Sequence, residues 1–222
     1  MKELWATISP YVSDWLYLIP AIVISLTVHE CSHAFAAYKL GDPTPKEEGR
    51  LSLNPLRHID VFGFIVMLLA HFGWAKPVRV NPMYFENPRK GMMLTAIAGP
   101  ISNIIIAIVS SLALFMCDTF RAPFFLIIFF VYMTRLNIGL AIFNLIPIHP
   151  LDGSRIVSYF APSYASFMAR YGSTVQLIFF ALLILPDYIT AIPDILGTVI
   201  ISVQVFVSNL LYLLWSIIFW FI

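Results

Sequence analysis

Charge is what this sequence lacks most, because only 11% of its 222 residues are Asp, Glu, Lys or Arg, whereas 60% are hydrophobic. A soluble domain of this size needs a far larger charged surface. The net charge is only +1 and no tract of lysine and arginine is present, so a nucleic-acid partner is not expected. A mean hydropathy of +0.87 instead predicts that the chain lies in a lipid bilayer.

Cysteine is also scarce. Cys31 and Cys117 form neither a disulfide framework nor a CxxC metal pair. Internal repeats, low-complexity stretches and long linkers are absent from the sequence as well. We therefore expect a single membrane-embedded domain over residues 1–222, with a core at about 22–160 that carries the motifs described below and additional helices at 172–222.

Long apolar runs are abundant, and about 20 such residues suffice for a helix that crosses a bilayer. Four runs reach that length, at residues 12–39, 91–117, 123–147 and 198–222. A fifth run, 172–186, is shorter, and a sixth, 61–73, fits a re-entrant or interfacial segment. The predicted fold class is an all-α polytopic membrane protein with about five transmembrane helices, a re-entrant segment and a small β element near the active site.

The basic residues predict an orientation in the membrane. Alternating the spans places ten of the 13 on one face, namely Lys39, Lys46, Arg50, Arg57, Lys76, Arg79, Arg89, Lys90, Arg155 and Arg170. The positive-inside rule makes that face cytoplasmic. We expect a multi-pass protein of the cell membrane with its amino terminus outside, its carboxyl terminus inside and its active site toward the cytoplasm. The first span lacks a signal-peptide cleavage pattern, so we expect it to be retained.

The first apolar span contains the motif His29-Glu30-x-x-His33. Residues four apart lie on one helix face, so the two imidazoles can hold one zinc ion while Glu30 takes a proton from water. Ionised groups near a bilayer centre cost about 2.5–3.5 kcal/mol each, which favours a functional role for such a cluster. The alternative is a polar cluster that bonds another helix or faces the headgroups.

Catalytic zinc usually takes three protein ligands. The metzincin continuation, which would supply a further histidine, is absent after His33. Candidates for the third ligand elsewhere in the chain are Glu47, Glu48, Asp60, Glu86, His149 and Asp152. Asp152 is favoured because Pro147 and Pro150 end the preceding span and let the chain bend inward. Its alternative role is the N-cap of the segment that follows.

Taken together, these residues resemble the site-2 protease family of intramembrane zinc metalloproteases, in its compact bacterial-type form without an inserted PDZ domain. Residues 29–33 resemble the zinc helix of that family, and residues 49–60 resemble the stretch that follows it. Residues 99–103 match the GPxxN element, and residues 144–153 resemble the NxxPxPxxDG signature. The motifs cover about residues 22–160 in the family's order.

The resemblance implies a zinc-dependent endopeptidase that cleaves transmembrane segments in regulated intramembrane proteolysis. It implies one Zn²⁺ per chain held by His29, His33 and Asp152, with Glu30 as the catalytic acid and base. Asn144 matches an asparagine that holds the substrate backbone or the developing oxyanion, although it could equally bond a broken helix end. The implied partners are a membrane-spanning protein or peptide substrate and the bilayer, with no preference for an oligomeric state.

Four polar residues stand apart from these assignments. His149 replaces the second proline of the signature and is a hydrogen-bond partner of a metal ligand, a pH-sensitive group, an alternative ligand or a tolerated substitution. Arg135 lies inside an apolar span, where it either snorkels outward or pairs with an acid, and we assign it no catalytic role. His58, like His71, lacks ligand spacing and is expected to be structural.

Residues 44–60 and 76–82 alternate in the manner of strands and could offer a sheet edge to an unwound substrate. The alternative is a surface loop without substrate contact. Two other functions are compatible with part of this pattern, a metal-ion transporter and an inactive scaffold that binds membrane helices. A transporter usually distributes its ligands over several helices, whereas a glutamate beside paired histidines is spaced for hydrolysis. The complete set of ligands and base argues against the scaffold.

Overall fold

The computed structural model describes residues 2–70, 73–189 and 191–220, and within these ranges it contains helices but no strand. The α-helices, in chain order, are α1 (Lys2–Lys39), α2 (Thr44–Glu47), α3 (Val61–Ala70), α4 (Pro88–Thr119), α5 (Phe124–Asn144), α6 (Asp152–Phe160), α7 (Pro162–Tyr188) and α8 (Ile195–Ile218). Among the described residues, α1, α4, α5, α7 and α8 are long and apolar enough to cross a membrane. The predicted all-α polytopic architecture is therefore confirmed.

Helix α4 forms the centre of the bundle and packs against both α1 and α5. His33 lies beside Thr95 and His29 lies beside Asn103, so α1 and α4 run antiparallel. Small buried residues such as Ala96 allow the helix backbones to approach closely, as is typical of membrane bundles. Asn87 caps the start of α4 by accepting a hydrogen bond from the amide of residue 90.

Helix α8 runs antiparallel to α5. A Cβ added at Gly139, in the second half of α5, would meet the side chain of Gln204, in the first half of α8. Farther along α8, the Tyr212 hydroxyl donates a hydrogen bond to Asp118 Oδ2 over 2.6 Å, near the end of α4. The carboxyl end of α8 therefore lies beside the turn that joins α4 to α5.

Helix α7 starts at, and returns toward, the end of the bundle that lies opposite the α4–α5 turn. The Tyr164 hydroxyl, near its start, donates to the Pro147 carbonyl over 2.6 Å. Ile148 shares a cavity with Leu182, late in α7, and with Ile195, the first residue of α8. Helix α7 thus does not complete a crossing in this bundle, although its length would allow one. This differs from the predicted arrangement, which counted 172–186 as a crossing span and so placed the carboxyl terminus opposite residue 121.

The segments between α1 and α4 form an irregular layer in place of the predicted β element. The described residues show only an isolated antiparallel bridge between Ile59 and Ala75. Prolines such as Pro77 cannot donate to a ladder. The guanidinium of Arg50 holds these segments instead, because it donates to the carbonyl oxygens of Lys76 (3.1 Å), Pro77 (2.8 Å) and residue 57.

Helix α3 has ten residues and is about 15 Å long, which is too short to cross a bilayer. Residues 71 and 72 of the run predicted at 61–73, and His71 with them, lie outside the described residues. The other histidine expected to be structural, His58, is fully buried and donates from Nε2 to the Ser52 carbonyl over 2.6 Å. It therefore stabilises the irregular layer beside α1.

Candidate metal centre

Three ligand-type atoms converge where α1 meets the start of α6. His29 Nε2 and His33 Nε2 lie 3.0 Å apart. Asp152 Oδ2 lies 3.4 Å from the first nitrogen and 3.2 Å from the second. Among the described residues, these three side chains form the group of His, Cys, Asp and Glu that is arranged to hold a metal ion.

The tautomer of His33 follows from its backbone partner. Its Nδ1 lies 2.7 Å from the Thr95 carbonyl oxygen, which can only accept a hydrogen bond. Nδ1 therefore carries the proton, and in the neutral ring Nε2 presents a lone pair to the centre. This is the orientation that a histidine ligand needs.

The tautomer of His29 is determined by a chain of amides that ends on a backbone carbonyl. Asn137 Nδ2 donates to the Met133 carbonyl over 2.8 Å, so Asn137 Oδ1 faces Asn103 and accepts from its Nδ2 over 2.9 Å. The remaining oxygen, Asn103 Oδ1, then faces His29 Nδ1 at 2.5 Å and accepts a hydrogen bond from its N–H group. His29 Nε2 thus also presents a lone pair. Ser25 completes the chain by accepting from Asn137 Nδ2 over 2.8 Å.

The third donor atom is a buried carboxylate oxygen without a hydrogen-bond partner in the described structure, Asp152 Oδ2. Leu151 occupies the N-cap position of α6, and Asp152 makes no capping bond, so the alternative role of this residue is not the one observed.

This donor set fits zinc. Two neutral imidazoles and one carboxylate are among its preferred ligands, and donors about 2.0–2.2 Å from a tetrahedral ion lie about 3.3 Å from one another. The observed separations of 3.0–3.4 Å agree with that geometry. Neutral rings with both Nδ1 atoms protonated leave three lone pairs facing one point, and a cation is what such an arrangement binds.

Two glycines make room for the centre. A Cβ on Gly99 would lie 2.4 Å from His33 Nε2 and 2.5 Å from His29 Cε1, so any larger residue would displace the imidazoles. A Cβ on Gly153 would lie 2.2 Å from the Leu145 carbonyl oxygen, at the end of α5. The glycines of the GPxxN and DG motifs are therefore required by close approach.

Glu30 and the three converging side chains line one small cavity of about 130 Å³. Glu30 Oε2 accepts a hydrogen bond from the Val78 amide over 3.1 Å, which ties the carboxylate to the irregular layer. Pro77 and Val80 form part of the same wall. The cavity thus places a carboxylate beside the three converging donor atoms.

Asn144 and His149 differ in their positions. Asn144 lines the cavity, and its side-chain amide donates to the Leu140 carbonyl over 3.0 Å, which secures the last turn of α5. His149 is exposed and does not line this cavity, so the structure does not bring it to the metal centre.

The other acids considered as ligands lie elsewhere. Glu48 faces Arg50 and Arg79 at 3.9 and 3.5 Å, and Asp60 accepts a hydrogen bond from the Gly63 amide. Glu47 and Glu86 are exposed side chains. None of these four belongs to the described metal-binding group.

Sequence reasoning assigned no chemical role to two residues of the site. Asn103 was recognised only as part of a motif, yet it orients His29. The sequence indicated Arg155 only as one of the basic residues on the predicted cytoplasmic face. In the structure it lines the cavity, three residues after Asp152. The spacing of Arg155 from Asp152, which places both on one face of α6, was the signal available for it.

The model of peptidase family M50 matches residues 118–186, a range that includes Asn144 and Asp152. "Putative zinc metalloprotease YwhC" of Bacillus subtilis is 42% identical to the chain over 152 residues, which are 66% of this chain and 69% of that protein. The chain belongs to peptidase family M50, the site-2 protease family. The predicted family and the predicted class of enzyme, a metalloprotease, are thereby confirmed.

Other M50 relatives are more distant. "Putative zinc metalloprotease Rip2" of Mycolicibacterium smegmatis is 30% identical over 157 residues, and that of Mycobacterium tuberculosis is 28% identical over 156 residues. In both cases the match covers 66% of this chain and 59% of the relative. No solved structure matches the chain. Membership of a peptidase family favours the hydrolase over the metal-ion transporter.

Proposed function

We propose that this M50 protein is a zinc-dependent intramembrane endopeptidase that cleaves membrane-spanning segments of other proteins. The convergence of His29 Nε2, His33 Nε2 and Asp152 Oδ2 beside the Glu30 carboxylate carries the proposal. His33 lies six residues before the end of α1 at Lys39, and therefore about 9 Å below that end. Such a depth is appropriate for cleavage within the bilayer.

In this proposal, His29, His33 and Asp152 hold one zinc ion per chain. When bound, zinc polarises the peptide carbonyl and makes water a better nucleophile. The amide chain through Asn103 and the Thr95 carbonyl keep both histidines in the tautomer that ligation requires.

Glu30 is the general base and then the general acid. One of its oxygens is fixed by the Val78 amide, which leaves the other to accept the proton of the attacking water. The same carboxyl group then passes that proton to the nitrogen of the leaving amine. Its hydrogen bond to the irregular layer restricts the rotation of the side chain between the two steps.

Asn144 and Arg155 are proposed to position the substrate. The Asn144 amide nitrogen has a second hydrogen, beyond the one donated to Leu140, that is available to a peptide carbonyl. Arg155 presents a cation in the cavity wall, where it can donate to backbone carbonyl oxygens next to the cleaved bond. Both roles rest on the proposed chemistry at Glu30.

An apolar cleft of about 630 Å³ leads toward the centre and is proposed to receive the substrate helix. Three parts of its wall, from α1, α5 and the segment 73–78, continue into the catalytic cavity. Helix α1 contributes Leu26 to the cleft and Glu30, one turn later, to the cavity; α5 contributes Phe143 and then Asn144. The segment 73–78 lines both spaces. A helix in the cleft would therefore extend toward the catalytic carboxylate.

A helix hides its carbonyl groups, so the substrate must unwind before it is cleaved. We propose that the unwound stretch lies along residues 76–82 by strand addition, next to Pro77 and Val80 in the cavity wall. Helix α3 is proposed to be the re-entrant segment that closes this side. The whole chain is proposed to act as one domain.

The metal-binding end of the bundle carries the basic segments, and we propose that it faces the cytoplasm. Unlike the sequence-based expectation, this places the end of α8 on the outer face, together with the α4–α5 turn. Membrane-spanning segments that can be reached from the cytoplasm are then the proposed class of substrate in regulated proteolysis.

The test compares wild-type protein with the Glu30→Gln variant. Cleavage should fall by about 10²–10⁴-fold in this variant, because the proton acceptor is lost. Zinc content, measured by atomic emission, should stay unchanged. Cleavage is followed by a comparison of membrane-protein fragments between cells that produce active protein and cells that produce the variant. Fragments found only with active protein are the products.

The matched control is Glu47→Gln, which changes an exposed glutamate outside the cavity and should retain full activity. Full activity of the Glu30 variant would exclude the proposed mechanism. Loss of zinc from that variant would instead show that Glu30 is a ligand.

A further inference from the structure

A second polar region lies inside the bundle, between α4, α5 and α8. It surrounds a cavity of about 130 Å³, here called the outer cavity. Its polar wall consists of Ser111, Thr134, Arg135, Ser208, Asn209 and Tyr212. Neither α8 nor any of these residues lines the catalytic cavity, so the two sites are separate.

The outer cavity lies deep in the membrane-spanning part of the bundle. Arg135 follows the first residue of α5, Phe124, by eleven positions, and therefore lies about 16 Å from that end of the helix. The hydrocarbon core is about 30 Å thick, so Arg135 is near its middle. Ionisable residues at such a depth mark functional sites.

The polar groups of the outer cavity are incompletely paired. Thr134 is 1% exposed, yet its hydroxyl oxygen has no hydrogen-bond partner in the described structure, and the buried Ser208 hydroxyl has none either. Arg135 is exposed and forms no ion pair with any described residue. Asp118, an acid on α4, instead accepts the hydrogen bond of the Tyr212 hydroxyl. A cation and two hydroxyls therefore lack an acceptor.

The unpaired groups specify the chemistry of a ligand that this cavity would bind. Arg135 offers only donors, and Asn209 and the two hydroxyls can donate as well, so the ligand should be an oxygen-rich anion. A lipid phosphate stays at the headgroup level, well above the middle of the bilayer. A second copy of this chain, related by a two-fold axis along the membrane normal, would bring arginine against arginine at the same depth. An acidic side chain on a partner helix meets both the charge and the depth.

We propose that the outer cavity binds a carboxylate from a partner's membrane-spanning helix, with the Asp or Glu near the middle of the bilayer. The guanidinium of Arg135 pairs with the carboxylate, and the Thr134 and Ser208 hydroxyls donate to its oxygens. Because Arg135 and Asn209 are exposed, the partner can approach from the lipid, whereas the buried hydroxyls of Thr134 and Ser208 reach its carboxylate after a local shift of their side chains. This partner site is independent of the catalytic cavity.

The proposal is tested with purified full-length protein in phosphatidylcholine vesicles. The probe is a single-span polyleucine peptide with one central Glu, and its matched form carries Gln. Binding is followed by fluorescence transfer between the labelled peptide and the labelled protein. The Glu peptide should bind about tenfold more tightly than the Gln peptide, because only its carboxylate pairs with Arg135.

Variants locate the effect. Arg135→Gln should remove the preference for Glu, Arg135→Lys should retain part of it, and Thr134→Val should reduce it. Arg89→Gln, at the metal-binding end, is the matched control and should bind like the wild type. Unchanged zinc content in the Arg135 variants would show that these proteins are folded.

Equal binding of the two peptides to wild-type protein would overturn the proposal, as would a Glu preference that survives Arg135→Gln. Displacement of the Glu peptide by stoichiometric oleate would assign the cavity to a fatty acid and would also overturn it. Because the readout is binding, failure here leaves the proposed peptidase chemistry at Glu30 unaffected.

Discussion

The metal centre and the outer cavity are both polar regions in an apolar bundle, but their unpaired groups are of opposite kinds. At the metal centre, His29, His33 and Asp152 present lone pairs to one point, so the missing partner is a cation. In the outer cavity, Arg135 and Thr134 present donors, so the missing partner is an anion. The unpaired polar groups inside the bundle thus indicate the sign of the charge that each site binds. The following changes test that contrast, from the largest expected effect to the smallest.

Replacing Asp152 by Asn removes the negative charge at the metal centre but keeps the shape. Zinc affinity, measured by chelator competition, should fall by more than about 100-fold. Removal of a group that only orients a ligand already lowers the affinity by about 10–100-fold. The metal-free variant should melt at the same or a higher temperature than metal-free wild type, because an amide can donate to an imidazole lone pair. Asp194→Asn keeps the cap of α8 and should change neither property.

Replacing Gly99 by Ala inserts a methyl group between the two imidazoles. The new Cβ would lie 2.4 Å from His33 Nε2, so the rings must move apart at a cost of about 1–3 kcal/mol in packing. Zinc content should drop, and cleavage should drop in parallel. Gly172→Ala is the matched control, since its Cβ would meet only Met168 Cε at 4.0 Å. Equal zinc content in both variants would contradict the geometry described above.

Replacing Asn103 by Leu removes the acceptor that fixes the tautomer of His29. Zinc affinity should fall by about 10–100-fold, as is usual when the partner of a histidine ligand is lost. Asn209→Leu, in the outer cavity, should leave zinc affinity at the wild-type value. An Asn103 variant with normal affinity would mean that the amide chain does not orient the ligand.

Replacing Thr134 by Val removes a buried hydroxyl that has no partner in the free protein. Stability in detergent should change by less than about 1 kcal/mol or rise slightly, because no hydrogen bond is lost. Zinc content should not change at all. A large loss of stability, measured by thermal unfolding, would show that this hydroxyl is bonded within the protein. The outer cavity would then lack one of the unpaired donors on which its contrast with the metal centre depends.

The apolar spans that cross the bundle could be predicted from the sequence. The runs at 91–117 and 123–147 correspond to α4 and α5 within a few residues, because the bilayer sets their length. The grouping of Asp152 with His29 and His33 was also predicted, since two prolines end the apolar span and let the chain bend inward. These features depend on local composition and on spacing.

The features that were not predicted depend on long-range contacts. Asn137 bonds to Ser25, which is 112 positions away, and no local pattern points to this pair. The return of α7 to its starting end could not be distinguished from a crossing, because apolar length alone was available. The expected β element failed because Arg50 satisfies the carbonyl groups that strand pairing would have used.

The direction of α8 has a practical consequence for reporter fusions. Since its carboxyl end lies beside the α4–α5 turn, a tag joined there and a tag inserted at residues 120–123 would share a compartment. Alkaline phosphatase, which folds only after export, would be active at both positions in the proposed orientation. In the same proposed orientation, a green fluorescent protein inserted between α2 and α3 would fluoresce in the cytoplasm.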